Sequence, residues 1–210
     1  MGFGRRHSGF SAVCVWVLGA WYGLLRAVEI EAGRQTGAGR GLLGQLAVLA
    51  AAALLLFAAL HDVGFRTVPN WLPASLCALG VCARLADHSL LPAIAVAGST
   101  FFVLLLFWLT GSIGGGDVKL WSATALLIPP SLAPELMFFA RVILIGGVLA
   151  LLYLLLGRLV PRPAASRRGG LLRRAFRAEM WRIGRRAPLP YACAIAAGAL
   201  ATILPLSLQR

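Results

Sequence analysis

Long apolar runs broken by short polar turns set the pattern of this chain. The runs cover about residues 43–60, 71–86, 90–110, 118–132, 134–159 and 190–206, with a weaker one at 10–25. A bilayer core about 30 Å thick is crossed by about 20 apolar residues in a helix. The pattern therefore predicts an all-α, polytopic membrane helix bundle with six clear transmembrane helices and an N-terminal candidate for a seventh. The fourth run is short and carries Pro129-Pro130 near its end, so it spans only with help from the glycines ahead of it. The weaker run follows Arg5-Arg6 and looks like a secretory signal or a signal anchor. It lacks a suitable small-residue cleavage site, which favours a retained anchor, although an overextended start would look the same. The chain thus divides into an N-terminal extension, 1–42, and a membrane-embedded domain, 43–210.

Composition strengthens this picture. The chain of 210 residues is 60% hydrophobic and 13% charged, against about 45–50% and about 25% in soluble domains. Its mean hydropathy is +0.84. That much apolar surface exceeds what a soluble core of this size hides, so lipid covers part of it. The formal charge of +13 comes from 20 basic and 7 acidic residues. Ten of the basic residues lie between Arg158 and Arg186, opposed only by Glu179. By the positive-inside rule this loop, 158–187, is cytoplasmic. Counting back through the spans places 61–70 and 110–119 on the cytoplasmic side and 87–90 outside. Within the loop, Leu172, Phe176, Met180 and Ile183 recur at helical spacing. They predict a basic surface helix on the anionic headgroups of the inner leaflet. No aromatic platform or recognition motif accompanies the charge, so nucleic acid is not an expected partner. The four cysteines, Cys14, Cys77, Cys82 and Cys193, lie in apolar stretches without a Cys-x-x-Cys pair. They read as buried small hydrophobes rather than a metal or disulfide framework.

Each of the seven acidic residues has to be placed. Glu29 and Glu31 lie in a polar linker, Asp87 in an outer turn, Glu135 at a span start and Glu179 among arginines, all with ordinary solvated explanations. Asp62 and Asp117 stand apart. Asp62 ends the first clear span and Asp117 opens the fourth, after Gly114-Gly115-Gly116. Both fall at cytoplasmic helix ends, at one depth. Two carboxylates brought together in a partly dry site share a proton. Such a pair can take a proton from water and give one to a leaving group, the minimum equipment for metal-free peptide hydrolysis. Glycines without Cβ let an extended substrate or a neighbouring helix approach closely. A flexible turn and ordinary helix-end solvation account for the same residues.

The flanking residues sharpen the choice. The stretch Asp62-Val63-Gly64-Phe65-Arg66-Thr67-Val68-Pro69-Asn70 resembles the segment after the first catalytic aspartate of type IV prepilin peptidases. Gly114-Gly115-Gly116-Asp117-Val118-Lys119 is similar to that family's Gly-x-Gly-Asp motif, and Pro188-Leu189-Pro190-Tyr191-Ala192 to the opening of its last helix. The three occur in the family's order, across about residues 43–206. The resemblance implies a membrane aspartic endopeptidase of the bacterial plasma membrane. It would remove the leader from prepilins or pseudopilins on the cytoplasmic side, after a glycine, with no metal or organic cofactor. Asp62 and Asp117 would be catalytic. Gly114, Gly115 and Gly116 would allow close approach, Pro69 and Asn70 would shape a turn, and Lys119 would either bias the pair's ionisation or reach the interface. His61 points elsewhere on a helix. The cytoplasmic cysteine-bearing insert that the resemblance ties to N-methylation is missing between the first two spans. That implies the short, peptidase-only form associated with Tad/Flp pili. Two other classes stay open: an ion-coupled transporter with buried acids, and a non-catalytic assembly component of a pilus or secretion system.

Overall fold

In a computed structural model, the described residues are 42–159 and 189–208, together with residues 19, 22, 23, 26, 181 and 182. Most of the N-terminal run at 10–25 and nearly all of the basic loop, including its expected surface helix, lie outside them.

Among the described residues six helices are delimited: α1, Leu42–Phe65; α2, Trp71–Ala86; α3, Leu90–Leu109; α4, Gly115–Ala125; α5, Leu132–Leu159; and α6, Tyr191–Leu208. No strand occurs among the described residues. Among the described residues three segments are long and apolar enough to cross a membrane, namely Leu46–Phe65, Leu90–Leu109 and Leu132–Leu159. The all-α bundle stands, but six clear spans become three by this measure. α2 has 16 residues, about 24 Å at 1.5 Å per residue. α4 has only 11.

The shortest helix sits deepest. Every residue from Leu120 to Ala125 is buried, and α4 packs against α2, α3 and α6. Its hydroxyls are satisfied within the helix: Ser122 donates to the Val118 carbonyl at 2.8 Å and Thr124 to that of Leu120 at 2.7 Å. A polar helix survives at membrane depth when its neighbours, not lipid, surround it. α6 packs on α1, α4 and α5, and α1 also packs on α2. Outward faces carry exposed Leu49, Leu56 and Leu60 on α1, and Leu144, Val148 and Leu154 on α5. Apolar patches of that extent suit lipid contact.

Three expectations are corrected by the packing. The fourth run, 118–132, is not one helix, because Pro129-Pro130 supply no N–H and α4 ends at Ala125. Leu126, Leu127 and Ile128 follow as buried turn, closed by bonds from Leu127 to Thr124 and from Ile128 to Ala125. Glu135 is not solvated. It is wholly buried in the first turn of α5, within electrostatic reach of Arg84, itself 2% exposed. Arg84 pairs with Asp87 at 3.3 Å and donates to the Leu127 carbonyl at 3.3 Å. The two cysteines of α2, Cys77 and Cys82, are exposed rather than buried, on a helix face turned away from the bundle.

Candidate active site

The chain between α1 and α2 is short and firmly closed. Arg66 ends the helix in the left-handed region at φ 58°, and its N–H bonds the Asp62 carbonyl at 2.8 Å. His61 binds the Thr67 carbonyl through Nδ1 at 2.8 Å, and its ring stacks on Phe65 at 4.7 Å between centroids. The imidazole is thus a clasp on the turn. Pro69 accepts from the Leu72 N–H at 3.0 Å as α2 begins.

The chain between α3 and α4 turns differently. Gly111, at φ 73°, takes the left-handed position after α3. Its N–H bonds the Trp108 carbonyl at 2.8 Å and the next, from Ser112, bonds Phe107 at 3.1 Å. That pair of bonds is a Schellman motif, which stops α3 and turns the chain. Gly114 then restarts a helix from extended backbone, with Asp117 in the first turn.

These two connections enclose a cavity of about 730 Å³. Asp62 and Asp117 both line it, with Arg66, Thr67 and Val68 from the first connection, Ser112, Ile113, Gly114 and Gly116 from the second, and Leu189 and Tyr191 from the start of α6. Asp62 is only 6% exposed. The backbone N–H of Ala192, in the first turn of α6, donates to its Oδ2 at 3.1 Å. An unpaired N–H at a helix start is a natural partner for a carboxylate. Asp117 lies in α4, outside the three long spans. Burial, and secondly the charge of Asp62, push its carboxyl up to about 6.

The remaining expected residues fall in different places. Gly114 is crowded by the carboxylate itself: a Cβ there would lie 2.9 Å from Asp117 Oδ2. Gly116 faces Val68, and Gly115 faces the Trp108 indole outside the cavity lining. Lys119 and Asn70 do not line the cavity. Instead the Lys119 ammonium donates to Asn70 Oδ1 at 3.1 Å, tying α4 to the start of α2. Sequence reasoning missed Arg66, Thr67, Val68, Ser112, Ile113, Leu189 and Tyr191. All but Ser112 and Ile113 stood inside quoted motifs, and only the fold reveals that they face the aspartates' cavity. Arg66 also reaches the Tyr153 hydroxyl of α5 at 3.4 Å, its guanidinium 5.7 Å above that ring.

Arg182, from the basic loop, donates to the Val63 and Gly64 carbonyls at 2.6 and 2.7 Å. It satisfies orphan carbonyls at the end of α1. The loop's arginine and the two aspartates therefore share one end of the bundle, while Arg84, Asp87 and Glu135 lie at the other ends of α2 and α5. Among the described residues, no three His, Cys, Asp or Glu side chains gather where they could hold a metal ion.

The arrangement places two carboxylates, one held by a backbone N–H and one prone to keep a proton, on the wall of an open cavity. Residues 49–155, just over half of the chain and including both aspartates, match the family model described as the type IV leader peptidase family. No curated protein and no solved structure matches the chain.

Proposed function

Because this chain belongs to the type IV leader peptidase family, we propose that it is a membrane aspartic endopeptidase that removes the leader from prepilin-like precursors at the cytoplasmic face. One observation carries the reading: Asp62 and Asp117, from different helices, line one cavity and feel each other's charge. The ionised member takes a proton from water as the water oxygen adds to the peptide carbonyl. The protonated member then gives its proton to the leaving nitrogen. Asp117, raised to about 6, is the better keeper of that proton. The extended connections around the cavity, small at Gly114 and Gly116, leave room for a substrate backbone.

The cytoplasmic assignment is supported by charge. The basic loop is fastened through Arg182 to the helix end that bears Asp62, and arginine-rich loops stay inside. The peptidase-only assignment is supported by length: α1 ends at Phe65 and α2 begins at Trp71, leaving no room for a cysteine-bearing domain.

Co-expression with a candidate prepilin, scored for leader removal on a gel, tests the reading. Wild type should convert precursor to mature pilin and Asp62→Ala should not. Equal conversion by both would overturn it.

A further inference from the structure

The start of α6 brings two consecutive groups to the cavity. The Ala192 N–H holds Asp62, and Tyr191, one residue earlier, forms part of the wall. That single-residue offset fixes the phenol relative to one carboxylate. The ring is also seated from two other helices. It leans on Trp121 of α4, with 6.1 Å between centroids and an interplanar angle of 33°. It also fills the space over Gly146 of α5, where a Cβ would lie 2.8 Å from Cε2 and 3.2 Å from the hydroxyl. A methyl group at position 146 would therefore displace the ring.

Although held so closely, the hydroxyl makes no hydrogen bond among the described residues, and it lies within electrostatic reach of Asp117. A phenol carries one O–H donor. A preorganised donor aimed at developing negative charge is what peptide cleavage requires at the carbonyl oxygen. We propose that Tyr191 is a third catalytic residue, whose hydroxyl donates a hydrogen bond to the carbonyl oxygen of the bond being cut. This rests on the aspartic peptidase reading.

The step balances without a further reactant. Water loses one proton to the ionised aspartate and its oxygen bonds the carbonyl carbon. The C=O π pair moves onto the oxygen, which accepts the Tyr191 hydrogen bond. The pair returns, the C–N bond breaks, and the nitrogen takes the proton of the other aspartate. Acid and amine products form, the two aspartates have exchanged protonation, and Tyr191 keeps its own proton throughout.

Purified full-length enzyme acting on a prepilin substrate tests this. Tyr191→Phe keeps the ring in its seat and removes the donor, so kcat should fall about 10²–10³-fold with KM and the thermal midpoint near wild type. Gly146→Ala, which moves the ring while keeping the hydroxyl, should also lower kcat. A wild-type kcat for Tyr191→Phe, or a defect confined to KM, would overturn the proposal. If Asp62→Asn is inactive in the same assay, that failure falls on Tyr191 alone. If Asp62→Asn is active, the dyad reading fails with it.

Discussion

Asp117 combines two properties that pull against each other. Its carboxyl is raised from 3.8 to about 6 by burial and by Asp62, so the folded chain keeps a proton that an unfolded chain has released between those values. Stability from this group is therefore complete at low pH and is lost as pH rises toward and past 6. Asp117→Asn should raise the thermal midpoint at pH 7.5 by a few degrees, on the order of 2 kcal/mol after solvent screening, and melting curves at pH 3.5 and 7.5 should show the gain only at the higher pH. The same substitution, like Asp62→Asn, should lower cleavage at least about 10³-fold, because an amide neither accepts nor supplies the proton. The wild-type rate should decline as pH rises through about 6, where the pair loses its shared proton. A pH–rate profile flat from 5 to 8 would contradict that. At this scale much was legible. The acids at matched depth, the glycines and the turn residues all stand out in the sequence. The partners were not: Ala192 acts through a backbone N–H that any residue but proline possesses, so no letter in the chain announces it.

Helices were legible to within a few residues where apolar length decides, as in α2 and α3, and less so where burial decides. The fourth run counted as a span because its letters are apolar. The structure uses it as a half-length helix followed by buried turn, since α2, α3 and α6 take the place of lipid around it. Hydropathy measures the residue, not its neighbours, so a helix shielded by protein cannot be told from one facing lipid. Glu135 misled for the same reason: a carboxylate near a span start reads as solvated until the fold buries it within electrostatic reach of Arg84. Removing one partner of such a buried cluster costs about 3–5 kcal/mol. Arg84→Leu should therefore lower the thermal midpoint sharply, while Glu135→Gln, which keeps shape without charge, should retain cleavage. A gel assay and melting curves on both variants separate the two effects.

The bundle as a whole separates its chemistry by end. Carboxylates, cavity and the Arg182 clasp gather at one end, and the Arg84–Asp87 pair with Glu135 at the other. The turn joining α1 and α2 is too short to hold a folded domain, so on the proposed reading pilin cleaved by this chain should carry an unmodified amino terminus. Mass spectrometry of pilin cleaved in the presence of a methyl donor checks this, and a gain of one methyl mass would contradict it. Leu126, Leu127 and Ile128 are packed with almost no exposure, past the end of α4 opposite Asp117. A protease that admits water partway into a bilayer endangers the ion gradients its cell lives on. These three side chains form an apolar layer between the cavity and the far end of the bundle, interrupted only where the Leu127 carbonyl accepts from Arg84, so a file of water molecules would find few polar groups to follow. Proteoliposomes carrying the enzyme should hold an imposed proton gradient as long as protein-free vesicles do, so that proteolysis proceeds in an energised membrane without discharging it.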